Sequence, residues 1–128
     1  DYAVNVLKVR HVLVTGHYGC GGVLAAMSAP QFGLIDNWLR HIKDVYRIHE
    51  KELDSIKDEK QRSNRLVELN VIENVNNLCK TSIVQNAWKS GQELSVHGWV
   101  YSLATGKITD MKVSATNNDK LDKVFKFK

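Results

Sequence analysis

Residues 10–23 read "RHVLVTGHYGCGGV". Val12, Leu13 and Val14 make an unbroken apolar run. A continuous run, as opposed to an alternating one, predicts a buried strand of a parallel sheet. Gly16 closes it. "GCGGVLAAMSA" (19–29) resumes as a helix, with glycines that permit a sharp turn and Pro30 marking its end. In open α/β sheets, ligands gather at the carboxyl ends of strands. His17 sits there, and Cys20 follows three residues later.

Three readings of the pair are open from spacing alone. It is half of a metal site, a cysteine–histidine nucleophile pair, or a glycine turn that holds both residues without chemistry. Thiolate and neutral imidazole are good Zn²⁺ ligands, and a helix N-terminus favours a thiolate. Zinc needs three protein ligands plus water, or four, so two residues are only part of a site. The other histidines are weaker candidates. His11 opens the strand and is expected to make a local hydrogen bond. His41 falls on a polar helix side, His49 on an apolar stripe as a packed residue, and His97 near a strand in a structural role. Cys79 lies on an apolar helix face and reads as a small hydrophobe.

Outward from the opening stretch, Ala3, Val4 and Leu7 predict a short helix. From Leu34 to Leu53 one helix is expected, with Trp38, Leu39, Ile42, Val45, Tyr46, His49 and Leu53 as its apolar stripe. "DSIKDEKQRSNR" (54–65) reads as a polar interruption. A second long helix places Leu66, Leu69, Ile72, Val75, Leu78 and Cys79 on one side. "SIVQNAWKSG" (82–91) is a short helix ending at Gly91. "ELSVHGWVYSL" and "KITDMKVSA", split by "ATG", predict a β-hairpin. The expected fold is α/β: a mostly parallel central sheet flanked by helices, with an antiparallel edge strand on the C-terminal side. Few strands are visible, and "HVLV" needs a parallel neighbour. Strands are therefore expected to be missing upstream of Asp1.

The 128 residues suit one domain, with 43% hydrophobic and 25% charged residues. The net charge of +4 is modest. Lys120, Lys123, Lys126 and Lys128 crowd the C-terminus, where a solvated tail is expected. No nucleic-acid-binding motif accompanies them, so no such partner is implied. No apolar stretch approaches the roughly 20 residues needed to span a bilayer. Two distant cysteines do not make a disulfide framework, and reduced thiols in the cytoplasm are the expectation.

"HVLVTGHYGCGGV" resembles the second zinc-ligand motif of the β-class carbonic anhydrases, a strand followed by G-H-x-x-C-G-G. "GLIDNWLRHIKDVY", "ELNVIENVNNLCKTSIVQNAWKSGQ" and "VHGWVYSLATGKITDM" resemble later parts of that family, in order, so the likeness covers essentially the whole chain. The family's first motif, C-x-D-S-R, is absent. Residues 1–128 are therefore expected to be the C-terminal portion of one such domain.

The resemblance implies reversible hydration of CO₂ to bicarbonate by the complete protein, with zinc-bound hydroxide as nucleophile. It implies His17 and Cys20 as two of three protein zinc ligands, and Gly21 and Gly22 as the turn shaping the site. "GWVY" resembles the subtype with a second, regulatory bicarbonate site, and implies Tyr101 as its tyrosine. The third ligand and an Asp–Arg pair have no counterpart here, so the 128 residues alone are expected to be inactive. A homodimer or homotetramer, or association with the missing N-terminal segment, is implied. Two other classes remain: a cysteine–histidine hydrolase or transferase with Cys20 as nucleophile, and a non-catalytic oligomerising module using the Leu34–Leu53 helix.

Overall fold

The apolar run forms strand β1 (His11–His17), and the glycines after it lead into helix α1 (Gly21–Met27). Helices α2 (Asp36–Ile48), α3 (Glu50–Ser55), α4 (Glu59–Cys79) and α5 (Ser82–Lys89) follow, then strands β2 (Ser95–Ser102) and β3 (Lys107–Asp110). A wide helical turn, Tyr2–Val6, precedes β1, and a single tight turn, Lys123–Phe125, lies near the C-terminus. The computed structural model describes all of residues 1–128.

The sheet order is β1-β2-β3. β1 pairs in parallel with β2 along its whole length, Val12 opposite Val96 and His17 opposite Tyr101. β2 turns back through Gly106, at φ +68°, into antiparallel β3. The fold is thus α/β with a mixed sheet and an antiparallel edge strand. One expectation is corrected: "HVLV" does not lack a parallel neighbour. The neighbour comes from downstream, because the five helices between β1 and β2 supply the crossover that a parallel pair requires. The other edge of β1 carries no strand.

β1 is also not buried on both faces. Val12, Val14 and Gly16 turn toward α4, whereas Leu13, on the opposite face, is 45% exposed. α4 is the helix that packs on β1 and β2, and it covers one face only. Its approach is close. A Cβ on Gly16 would stand 2.7 Å from Cγ2 of Val71, and one on Gly98 would stand 2.9 Å from Val113 of the C-terminal segment, 3.0 Å from Val75 and 3.1 Å from Val71. Two glycines on adjacent strands, offset by two residues in the register (Gly98 opposite Val14, Gly16 opposite Val100), thus leave room for the valines of one helix.

α4 is buried on more than the one predicted side. Leu66, Leu69, Val75 and Cys79 are buried as the stripe requires, but so are Val67 and Val71, which face the sheet. Ile72 and Leu78 are only half-buried. The polar stretch 54–65 is mostly helix, not an interruption. Only Ile56–Asp58 lie outside α3 and α4. Asp58 caps α4, its carboxylate accepting from the Gln61 amide at 2.7 Å. Polar residues there form the solvated side of the first turns of α4, which composition alone reads as loop.

The expected Leu34–Leu53 helix is two helices with a break at His49. Leu39, Ile42, Val45 and Leu53 are buried in the core with Val23 and Ala26 of α1. Trp38 leaves the stripe and is 59% exposed. His49 is half-buried, 3.5 Å from the Glu73 carboxylate. α5 is capped by Thr81 and ends before Gly91, at φ +78°, as its sequence predicts. The C-terminal lysines are exposed, but the tail backbone is not free. The Gln85 amide donates to the Phe125 carbonyl at 2.9 Å and accepts from the Phe127 amide at 3.1 Å. The Lys80 ammonium lies 4.4 Å from the centre of the Phe125 ring. A buried glutamine, invisible to a charge-based reading, ties the segment down.

Two expectations follow for the complete protein. Gly98→Ala should destabilise it by about 1–3 kcal/mol in urea unfolding, because the added methyl strikes Val113 as well as Val75 and Val71 of α4. Combining it with Val71→Ala should recover part of that loss. Burial also pushes the Cys79 thiol up from 9.0 to about 11. The native state therefore keeps a proton that the unfolded chain releases. This contribution is intact below about pH 9 and is lost as the pH rises toward 11. A Cys79→Ala variant should lose less stability over that window.

Candidate metal centre

β1 ends at His17 because the parallel register with β2 runs out there, and the chain must turn into α1. The Tyr18 amide still donates to the Tyr101 carbonyl at 3.0 Å, so the sheet pairing extends one residue past the strand. Gly19 then takes φ +72°, a left-handed conformation that glycine adopts without steric cost. Cys20 stands at the N-terminal cap position of α1 in extended conformation. The turn thus brings an exposed imidazole and a half-buried thiol to the carboxyl end of one strand.

The His17 imidazole is oriented by its own neighbour. Its Nδ1 lies 3.1 Å from the Tyr18 carbonyl oxygen. A carbonyl only accepts, so Nδ1 carries the proton and Nε2 is left as a donor atom for a metal. That bond also means Nδ1 is engaged by backbone and not by Cys20.

Gly21 and Gly22 open α1. A Cβ on Gly21 would meet nothing within 4 Å, and one on Gly22 would stand 3.6 Å from the Trp38 ring and 3.8 Å from the Cys20 sulfur. The conformational demand for glycine in this turn therefore falls on Gly19. Trp38, exposed where a core residue was expected, packs beside the turn next to the cysteine. Tyr101 is paired with His17 across the parallel register and is 39% exposed. Paired residues of adjacent strands share a sheet face, so both lie on the side that α4 does not cover.

Imidazole nitrogen and thiol sulfur form a borderline-soft donor set that suits zinc. No group of three or more His, Cys, Asp or Glu side chains converges to complete such a site. The residues present fit zinc as two of its ligands. A concavity of about 700 Å³ lies next to the turn, bounded by Tyr18, Gly19, Leu24, Ser63 and Leu103. It includes neither His17 nor Cys20.

The remaining histidines stay away from the pair. His11 makes no local bond: its Nδ1 lies 3.1 Å from Nε2 of His97, and His97 Nδ1 is 2.7 Å from the Ser114 hydroxyl. Parallel pairing brings these distant residues together, which local sequence does not reveal. His41 is exposed on its helix, and Cys79 is buried as expected.

One group beside the site escaped the sequence reading. The Tyr18 hydroxyl donates to Glu68 at 2.8 Å, and Arg65 donates to the same carboxylate at 2.8 Å. Arg65 also reaches Glu52 at 2.5 Å. Burial, with help from Glu68, pushes the Tyr18 phenol up to about 12, so it stays protonated as a donor. The two carboxylates hold Arg65 more firmly charged than usual. The one signal available was the spacing of Arg65 and Glu68, three residues apart on a helix.

The family model for carbonic anhydrase matches residues 1–108. A carbonic anhydrase of Emericella nidulans is 50% identical over 113 residues, covering 88% of this chain and 50% of that protein. One from Candida albicans is 33% identical over 115 residues, covering 88% of this chain and 41% of its own length. Among solved structures, a Coccomyxa β-carbonic anhydrase in complex with acetazolamide superposes with TM-score 0.86 at 36% identity, over 91% of this chain and 53% of that one. A structure from work on two tetrameric β-carbonic anhydrases of Sordaria macrospora gives 0.82 at 35% identity, over 89% and 58%. The chain thus spans about half the length of the curated relatives it matches. Taken with the His17–Cys20 turn at the end of a parallel strand, these likenesses show that the chain belongs to the β-class carbonic anhydrase family.

Proposed function

We propose that the protein containing these residues catalyses the zinc-dependent, reversible hydration of CO₂ to bicarbonate, and that His17 and Cys20 are two of the three protein ligands to the metal. The observation that carries this reading is the placement of an imidazole and a thiol on one turn at the carboxyl end of β1, in a chain of this family. Zinc bound there would supply a Lewis acid able to bring the pKa of a bound water to about 7. The residues of this chain have distinct tasks. His17 presents Nε2 because Tyr18 occupies Nδ1. Cys20 contributes a thiolate, whose charge offsets part of that of the metal. Gly21 and Gly22, the first residues of α1, shape the site by keeping the space beside Cys20 free of side chains.

Tyr101, beside His17 on the uncovered sheet face, is the residue we assign to bicarbonate at a regulatory site. The missing third ligand and the free edge of β1 favour a complete site built with further chain, in a homodimer or homotetramer. Phe32, Leu34, Ile35 and Trp38, exposed between α1 and the start of α2, support such an assembly. Residues 1–128 alone should bind little zinc and hydrate CO₂ poorly. No helix is long and apolar enough to cross a membrane. The two free cysteines fit a reducing, cytoplasmic compartment.

In the complete protein, His17→Ala and Cys20→Ala should each abolish both stoichiometric zinc and CO₂ hydration, measured by metal analysis and stopped-flow pH change. Full activity in either variant would defeat the ligand assignment. Chelation should remove activity and added zinc restore it. Loss on cysteine alkylation without any metal dependence would point instead to a cysteine nucleophile. Residues 1–128 with stoichiometric zinc and high turnover would overturn the expectation of an incomplete site.

A further inference from the structure

We infer that Tyr18 is a positioning residue for the ligand His17, held in place by a polar chain that runs from α3 through α4 to the metal turn. The inference rests on the zinc-ligand reading of His17 proposed above. The turn from His17 to Cys20 contains a left-handed glycine, and beyond β1 its backbone is held by the Tyr18 amide donating to Tyr101 and the Cys20 carbonyl accepting from Leu24. The ring of Tyr18 packs partly buried against the core. Its hydroxyl donates to Glu68, whose second oxygen accepts from Arg65, which in turn donates to Glu52. Glu52 belongs to α3, Arg65 and Glu68 to α4, and Tyr18 to the turn. Two successive helices and a turn some distance upstream of them in sequence are linked in series.

The chain acts on His17 through one atom. Tyr18 is anchored at its amide by Tyr101 and at its hydroxyl by Glu68. Its carbonyl oxygen, carried by the same Cα, is the acceptor for His17 Nδ1 at 3.1 Å. The two anchors hold the Tyr18 amide, Cα and ring, so that only rotation about the Cα–C bond is left to turn that carbonyl away from the imidazole. The carbonyl sets which imidazole nitrogen carries the proton and how the ring is turned. Partners of this kind commonly alter metal affinity by about 10–100-fold. The other phenol–carboxylate pair, Tyr46 with Asp54, has the same chemistry but bridges α2 and α3 and touches neither His17 nor Cys20. It serves as a control.

The experiment uses the complete zinc-loaded protein. Zinc release is timed with a chromogenic chelator in excess, and the imidazole nitrogens of His17 are followed by ¹⁵N NMR. Tyr18→Phe should release zinc about tenfold faster and broaden or shift the His17 Nδ1–H signal, whereas Tyr46→Phe should match wild type in both. Glu68→Ala should behave like Tyr18→Phe. Glu68→Gln, which keeps an acceptor for the phenol, should restore most of the retention. A wild-type release rate in Tyr18→Phe or Glu68→Ala overturns the inference, as does equal acceleration by Tyr46→Phe, which would mean general loosening. Either Tyr18→Phe or Glu68→Ala suffices if the other does not fold. His17→Ala separates the two levels. If it keeps its zinc, the ligand reading itself fails. If it loses zinc while Tyr18→Phe holds it normally, only the positioning role fails.

Discussion

The close contact between α4 and the first two strands is the constraint on which the rest of the structure depends. Gly16 of β1 and Gly98 of β2 lack the side chains that would strike Val67, Val71 and Val75. Because they lack them, a helix of 21 residues lies against the sheet along one face. Dispersion and the hydrophobic effect both reward that approach, since the valines find dense surroundings in place of water. The contact also sets the depth at which α4 carries its other side chains. Arg65 and Glu68 point toward the turn after β1 because Val67 and Val71 point toward the strands.

The same register determines what meets at the strand ends. In parallel pairing, residues at matched positions share a face, so His17 and Tyr101 stand next to each other. His11 and His97 come within hydrogen-bond reach by the same means. The face they share is the one α4 leaves uncovered. An open apolar residue such as Leu13 on that face, an unpaired edge on β1 and a His17–Cys20 turn with no third His, Cys, Asp or Glu beside it are consistent with one another. Each is a surface that further chain or a second subunit would complete.

Much of this was legible from the residues. The β1–turn–α1 unit, the buried stripes of α2 and α4, the end of α5 at Gly91 and the hairpin of β2 and β3 all follow from periodicity and turn chemistry. The His17–Cys20 pair was visible as a motif, and the family resemblance gave it a meaning that spacing alone did not. The departures have three separate physical reasons. Polar residues at the start of α4 were read as loop because composition does not distinguish a solvated helix turn from a linker. Trp38 was placed in the core because a helical stripe records angular position and not whether anything covers its edge. Val67 and Val71 were left out because a helix with two buried neighbours has more than one apolar side.

By itself, the sequence determined the local elements, the two candidate ligands and the family to which they belong. These depend on interactions among residues near one another, or on a pattern kept along the chain. Only the tertiary structure decided that β2 is the partner of β1, that Tyr101 stands beside His17, and that Glu68 reaches the Tyr18 hydroxyl. Those contacts join positions tens of residues apart. They exist because two glycines let one helix settle closely on the sheet, and no local pattern encodes the distance of that approach.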